Sequence, residues 1–212
     1  MNKKVKILAF MLCAFMMCAT LAACSGSRET DETDAGAQTE ITYEDIDVDS
    51  YVEAIQYKGL SVAWDSETET KEAAIWNAIY ASVIIENYPE EKVNYYFNQM
   101  KNTYMHYAKG NEADYLLLLE AQGTSEEEML AKTRQMVKED LVFEYIIKHE
   151  QITVTDEEKD SLFNKYVEKY SAELGKTPEE VAASMKDYIY ESMLYDKTTE
   201  YLFSVNTFVT KQ

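Results

Sequence analysis

The 212-residue sequence has few of the residues from which most catalytic and metal-binding sites are built. It contains two histidines, three cysteines, six glycines and two prolines. His106 and His149 do not stand in a metal-ligand spacing such as H-E-x-x-H, and the sequence has no G-x-S-x-G motif and no phosphate-binding glycine loop. Carboxylates are abundant, so pairs of them arise by chance. We therefore predict no catalytic residue, no metal site, no cofactor and no small-molecule substrate, which argues against an enzyme.

Basic residues are also scarce. The chain has 20 Lys and Arg against 39 Asp and Glu, a formal net charge of −19. Binding to nucleic acid needs a basic patch that neutralises phosphates, and no such patch is visible, so we predict no nucleic-acid partner. The same charge argues against attraction to anionic lipid headgroups, so membrane association would have to come from a covalent lipid.

The N-terminal residues have the pattern of an export signal. Lys3, Lys4 and Lys6 form a basic start, residues 7–19 are apolar, and small residues follow. This order is typical of a cleaved signal peptide, and the apolar run is shorter than the roughly 20 residues of a membrane-spanning helix. We predict a signal peptide over residues 1–23.

Residues 21–24, Leu-Ala-Ala-Cys, match the bacterial lipobox, in which cleavage precedes the cysteine and the thiol receives a diacylglyceryl group. We predict Cys24 as the lipidation site, with acyl chains such as palmitate that hold the exported chain at the cell envelope, on the outer face of the cytoplasmic membrane. The alternative is an ordinary signal peptide with a chance cysteine. Cys13 and Cys18 lie in the segment that would be removed, so no disulfide is expected and the domain depends on its core.

The remaining sequence divides into a tether and a helical domain. Residues 24–49 are acidic and poor in large apolar side chains, which predicts a disordered spacer. Residues 50–212 form the predicted domain, with an extended lead-in over 51–62. Apolar residues at helical spacing predict helices over 67–86, 89–109, 113–121, 125–150, 155–174 and 177–203.

Three capping-box patterns support these helix starts. Ser125, Thr155 and Thr177 are each followed three residues later by glutamate. Pro178 suits the first position of its helix, since its missing N–H has no partner there in any case. The fold class predicted is all-α, with five to six helices.

Three stretches together resemble a known family. Residues 57–62 (Tyr-Lys-Gly-Leu-Ser-Val) resemble the trigger-factor segment that leads into the isomerase domain. Residues 88–93 (Tyr-Pro-Glu-Glu-Lys-Val) resemble the start of the trigger-factor C-terminal chaperone domain, and residues 125–180 have the order of its arm helices, a layout also similar to SurA-type periplasmic chaperones. The resemblance implies an elongated helical arrangement. The sequence departs from that of trigger factor between the first two stretches. Residues 63–88 leave no room there for the FKBP-like prolyl isomerase domain.

The resemblance implies a chaperone-like protein that binds unfolded or newly exported polypeptides. Tyrosine and methionine suit such binding, because tyrosine has an apolar face with a polar tip and methionine adapts to many shapes. Two alternatives stay open: a member of the prolyl isomerase family, and a non-catalytic adaptor in an envelope complex. For each candidate residue the alternative is a place in the core or on ordinary surface. The candidate client-binding residues are Tyr95, Tyr96, Met100, Tyr104, Tyr107, Tyr188 and Met193.

Overall fold

The computed structural model describes residues 46–211, so the predicted signal peptide, Cys24 and most of the predicted tether lie outside the described residues. Within this range the chain forms seven α-helices, one short 3-10 helix and a two-stranded sheet, which confirms the all-α class. The 3-10 helix is Val48–Ser50, the strands are β1 (Ser61–Trp64) and β2 (Thr207–Thr210), and the helices are α1 (Lys71–Ser82), α2 (Glu90–Tyr107), α3 (Glu112–Ala121), α4 (Glu126–Glu150), α5 (Asp156–Leu174), α6 (Pro178–Ser184) and α7 (Lys186–Val205).

The described residues fall into two compact units. The first comprises residues 46–54 and 83–142, and the second comprises residues 55–82 and 143–211. Helix α4 contributes its first part to the first unit and its last part to the second. In the part of the chain described, no helix combines the length and the apolarity that crossing a membrane requires.

The core of the first unit forms where α2, α3 and α4 bring their apolar faces together. Tyr115, Leu119 and Met129 are buried around Ala108, and half-buried side chains from α2 pack against them. The Tyr115 hydroxyl donates to Glu126 Oε1 at 2.9 Å. The buried ring therefore keeps a partner for its polar end, as buried tyrosines require.

The core of the second unit is built around Trp76 on α1. Its ring is stacked between Tyr80 and Tyr195, with centroid distances of 5.6 and 5.4 Å. The indole N–H donates to Thr199 Oγ1 at 3.1 Å. Fully buried aliphatic side chains from α1, α4 and α7 complete this core: Ile75, Ile79, Ile146, Ile189 and Leu202.

Two of the three predicted capping boxes are complete. At Thr155 and Thr177 the side chain accepts from the N–H three residues on, and the glutamate at that position accepts from the cap N–H. Ser125 accepts from Glu128 N at 3.2 Å, which is the first half of the pattern. Gly175 ends α5 at φ 64°, a left-handed conformation that favours glycine.

Two helix predictions are corrected by the structure. The helix predicted over residues 67–86 is α1, and it is shorter because Thr70 caps it and because Ile84 forms an antiparallel bridge with Ala54. The single helix predicted over residues 177–203 is two helices, α6 and α7, which raises the number of helices above the predicted five to six. The chain leaves the helical region at Met185, where φ is −127° and the side chain is buried.

The sheet brings together two segments that lie far apart in sequence. Strand β1 falls at the end of the predicted lead-in, whereas β2 was predicted neither as a strand nor as a partner of the lead-in. The strands are parallel, with Ser61 opposite Thr207 and Trp64 opposite Thr210. The side chain of Asn206 joins them to α7, because it accepts from Leu60 N at 2.7 Å and donates to Leu202 O at 2.8 Å.

Candidate functional site

The first unit carries a depression at the turn between α2 and α3, lined by apolar side chains together with Lys109 and Asp114. Tyr107, Leu116 and Leu117 are 69%, 54% and 62% exposed in this part of the chain. Large apolar side chains are rarely exposed side by side without a function. The depression has a volume of about 360 Å³, and we call it the α2–α3 groove; its lining residues are Tyr107, Ala108, Lys109, Asp114, Leu117 and Leu118.

The sequence of α3 explains why leucines remain at the surface. Residues 116–119 are four consecutive leucines, and successive residues of an α-helix are about 100° apart around its axis. One helix face cannot hold all four. Leu119 and Tyr115 point into the core, so Leu116 and Leu117 point outward.

The groove has a fixed floor and a fixed turn. Ala108, which lines it, is buried in the core cluster with Tyr115, Leu119 and Met129. The turn itself uses left-handed backbone at Lys109 and Gly110, with φ values of 52° and 77°. Asn111 then caps α3 by accepting from the N–H groups of Ala113 and Asp114. The groove is therefore part of the folded unit and needs no rearrangement to form.

An ion pair holds the helices beneath the groove. Lys101 Nζ lies 2.7 Å from Glu126 Oε1 and 3.8 Å from Glu112 Oε1. The hydrogen bond to Glu126 raises the pKa of Lys101, and the hydrogen bond from Lys101 lowers the pKa of Glu126. Burial, with help from Glu126, raises the pKa of Tyr115. Lys101, Tyr115 and Glu126 connect α2, α3 and α4, and each of these three keeps its ordinary charge state at neutral pH.

The structure distributes the predicted client-binding residues over different environments. Tyr107 lines the groove, whereas Met100 and Tyr104 are half-buried against the core cluster beneath it. Tyr95 and Tyr96 lie under the Lys92 ammonium, which is 5.7 and 5.1 Å from their ring centroids.

Tyr188 and Met193 lie in the core of the second unit. They are 4% and 3% exposed, so they do not contribute to a surface in this structure. The Tyr188 ring packs edge-on against Tyr170 at 5.3 Å, since both side chains face the α5–α7 contact. Leu116 and Leu117, on α3, are exposed residues that the candidate set did not include. The run of four leucines at residues 116–119 is the sequence signal that could have identified them, because one helix face cannot bury all four.

In the second unit, three side chains surround the Glu150 carboxylate: Tyr57, Lys58 and Tyr201. Glu150 accepts from the hydroxyls of Tyr57, at 2.7 Å, and Tyr201, and its Oε1 lies 2.6 Å from Lys58 Nζ. Burial alone would raise the pKa of Glu150, but the hydrogen bonds from Lys58, Tyr201 and Tyr57 outweigh it and lower that pKa to about 2. The group fixes residues 57–58 against α4 and α7. A carboxylate held in this way is poorly suited to proton transfer.

The described residues hold no cluster suited to a metal. Nowhere in residues 46–211 do three or more His, Cys, Asp or Glu side chains converge in an arrangement that could bind an ion. Cys24, the predicted lipidation site, lies outside that range. The candidate functional site that we consider is the α2–α3 groove.

The family model of the bacterial trigger factor protein (TF) C-terminus matches residues 62–204, about two thirds of the chain, and the protein belongs to this family. This membership gives it a chaperone-like role in protein folding in general. No curated protein matches the chain, and no solved structure matches it.

Proposed function

We propose that the protein is a membrane-anchored, extracytoplasmic chaperone-like lipoprotein that binds unfolded or newly exported polypeptides at the α2–α3 groove. The observation that carries this proposal is the exposure of Tyr107 and Leu117 in the lining of the groove, with Leu116 exposed on the same helix. Such a surface can bury apolar side chains of many sequences, because apolar burial is not directional.

The size of the groove favours weak and reversible binding. Burying one aliphatic side chain contributes about 1.5–3 kcal/mol, and the groove holds only a few such contacts before the entropy of association is subtracted. Binding in the micromolar range or weaker follows. Rapid release suits a protein that delays aggregation and then lets its client fold. The net charge of −19 keeps the protein soluble while the groove stays open.

The anchor is the second part of the proposal. Cys24 would carry acyl chains at the start of the mature protein, and the following acidic residues would hold the domain away from the lipid. This arrangement would place the groove where exported chains emerge outside the membrane.

Light scattering provides the test. The full chain carrying Cys24→Ser, which removes the acylation site, is mixed in stoichiometric amount with chemically unfolded clients as they are diluted. We expect suppressed scattering for several clients of unrelated sequence. Unchanged scattering, with a helical circular dichroism spectrum that shows the chain to be folded, would refute the proposal. Saturable binding to one folded envelope protein, without any effect on unfolded clients, would indicate an adaptor instead.

A further inference from the structure

In the sheet of the second unit, the hydrogen-bonding edge of β2 that faces away from β1 is not paired with another strand of residues 46–211. Thr207 N donates to Leu60 O at 2.9 Å and Lys211 N donates to Trp64 O at 2.8 Å, so alternate residues of β2 face β1. The N–H and C=O groups of Phe208 and Thr210, which lie between them, consequently point away from β1. Over residues 46–211, no third strand joins the sheet on that side.

The side chains of the sheet differ between its two faces. Val62 is buried, and Trp64 and Phe208 share the ammonium of Lys71, so this face packs on the helical body. The opposite face consists of small or aliphatic uncharged side chains that are all exposed: Ser61, Ala63, Thr207 and Val209. An added strand could therefore place apolar or small side chains there without meeting a charge.

An apolar side chain lies next to the open edge. Phe203, at the end of α7, packs edge-on against Phe208 with a centroid distance of 5.3 Å and remains 38% exposed. If a strand were added next to β2, one of its side chains could contact Phe203 on the face of the sheet that packs on the helices. Lys211, which follows β2, is already paired, since its Nζ lies 3.2 Å from Glu69 Oε1.

We propose that the open edge of β2 binds an extended segment of an unfolded polypeptide by strand addition, with Phe208 and Thr210 exchanging backbone hydrogen bonds with it. This inference rests on the proposed function. It adds that the edge of β2 recognises the client in an extended conformation. Backbone hydrogen bonds supply the affinity in such binding and alternate side chains supply the selectivity. Extended, uncharged segments rich in β-branched residues fit the edge best.

Charge favours a client over a second copy of this chain at the edge. Pairing two β2 strands would bring together two proteins that each carry a net charge of −19, and like charges repel. A neutral extended segment meets no such repulsion. Short edge strands also limit pairing between identical folded proteins. Strand β2 is such a short edge strand, because it has four residues.

The probe for the test is an N-acetylated, C-amidated eight-residue peptide of alternating valine and threonine. The matched control peptide has the same sequence with every amide nitrogen methylated, so that neither of its edges can donate a hydrogen bond. Binding to the full chain with Cys24→Ser is followed by NMR amide hydrogen exchange. We expect the unmodified peptide to slow exchange at Phe208 and Thr210 at least tenfold, and the methylated peptide to bind at least tenfold more weakly.

A protein variant makes the test independent of the peptide chemistry. Thr210→Pro removes an outward N–H and leaves the β1–β2 hydrogen bonds in place, because proline is tolerated where its nitrogen faces solvent. We expect it to bind the unmodified peptide at least tenfold more weakly. Val209→Thr is the matched control, since it keeps every backbone group, and it should bind within twofold of the unaltered chain.

Four outcomes separate the proposals. Equal binding of the two peptides, or of Thr210→Pro and the unaltered chain, overturns strand addition and leaves the groove proposal standing if scattering is suppressed. Protection of Phe208 and Thr210 that grows with protein concentration, without peptide, overturns it in favour of pairing between copies. Peptide binding at β2 without suppression of scattering overturns the proposed chaperone function and, with it, the assignment of unfolded clients to the edge. Loss of peptide binding in Thr210→Pro together with suppressed scattering supports both.

Discussion

The indole N–H of Trp76 and the hydroxyl of Thr199 form a buried hydrogen bond of 3.1 Å in the second unit. Thr199→Val keeps the size of the side chain but leaves the indole N–H without this partner. Since an unpaired buried donor costs about 1–3 kcal/mol, the free energy of unfolding should fall by that amount. Urea unfolding monitored by tryptophan emission measures it. Thr153→Val, at an exposed loop position, is the control and should change the stability by less than about 0.5 kcal/mol.

Glu150 should make the second unit sensitive to acid. Its pKa in the folded chain is about 2, below the ordinary value of 4.5, so its contribution is complete above pH 4.5 and is lost as the pH falls towards 2. Glu150→Gln should lower the free energy of unfolding at pH 7 by about 1–3 kcal/mol, because hydrogen bonds to a charged acceptor are lost.

Urea unfolding of both proteins between pH 7 and pH 2.5 checks this dependence. The difference between Glu150→Gln and the unaltered chain should shrink steadily below pH 4.5. A constant difference across the range would show that the charge of Glu150 has no part in the stability. Glu168→Gln, at an exposed position on α5, serves as the control.

The groove can be altered without disturbing its helix. Glutamine and leucine have similar helix propensities, so Leu116→Gln combined with Leu117→Gln should leave α3 folded. We expect the double variant to need at least threefold more protein for the same suppression of scattering. The control is Ile84→Gln, which changes a residue of the first unit, 53% exposed, that lies neither on α3 nor in the lining of the groove. Equal loss in Ile84→Gln would mean that general surface hydrophobicity, rather than the groove, binds clients.

The proposed anchor depends on one thiol. Cys24→Ser should move the protein from the membrane fraction to the soluble fraction and abolish incorporation of a labelled palmitate analogue, because serine cannot form the thioether. Cys18→Ser, within the predicted signal peptide, should leave both properties unchanged. A Cys24→Ser protein that still sediments with membranes and carries the label would contradict the assignment.

Features fixed by neighbouring residues were predictable from the sequence. The boxes at Thr155 and Thr177 place helix starts through contacts that span three residues, and both were confirmed. The break at Met185 has no proline or glycine to mark it. It coincides with the burial of both Val181 and Met185, a tertiary feature that a local pattern does not contain.

Features fixed by distant residues were not predictable in the same way. Residues 207–210, Thr-Phe-Val-Thr, are β-prone, but only their pairing with residues 61–64 makes them a strand. Among the candidate client-binding residues, Tyr107 and Tyr188 have the same side chain, yet one is exposed and the other buried. Their exposure depends on which helices pack over them, so residue type alone could not separate them.

The parallel pairing of β1 with β2 sets the order in which the chain can finish folding. About 140 residues separate the two strands, so all of them must emerge before β1 and β2 can pair. The segment 83–142, which supplies most of the first unit, lies among these residues. Until its last strand emerges, β1 is itself an unpaired extended segment, so this protein passes through the vulnerable state from which we propose that it protects others.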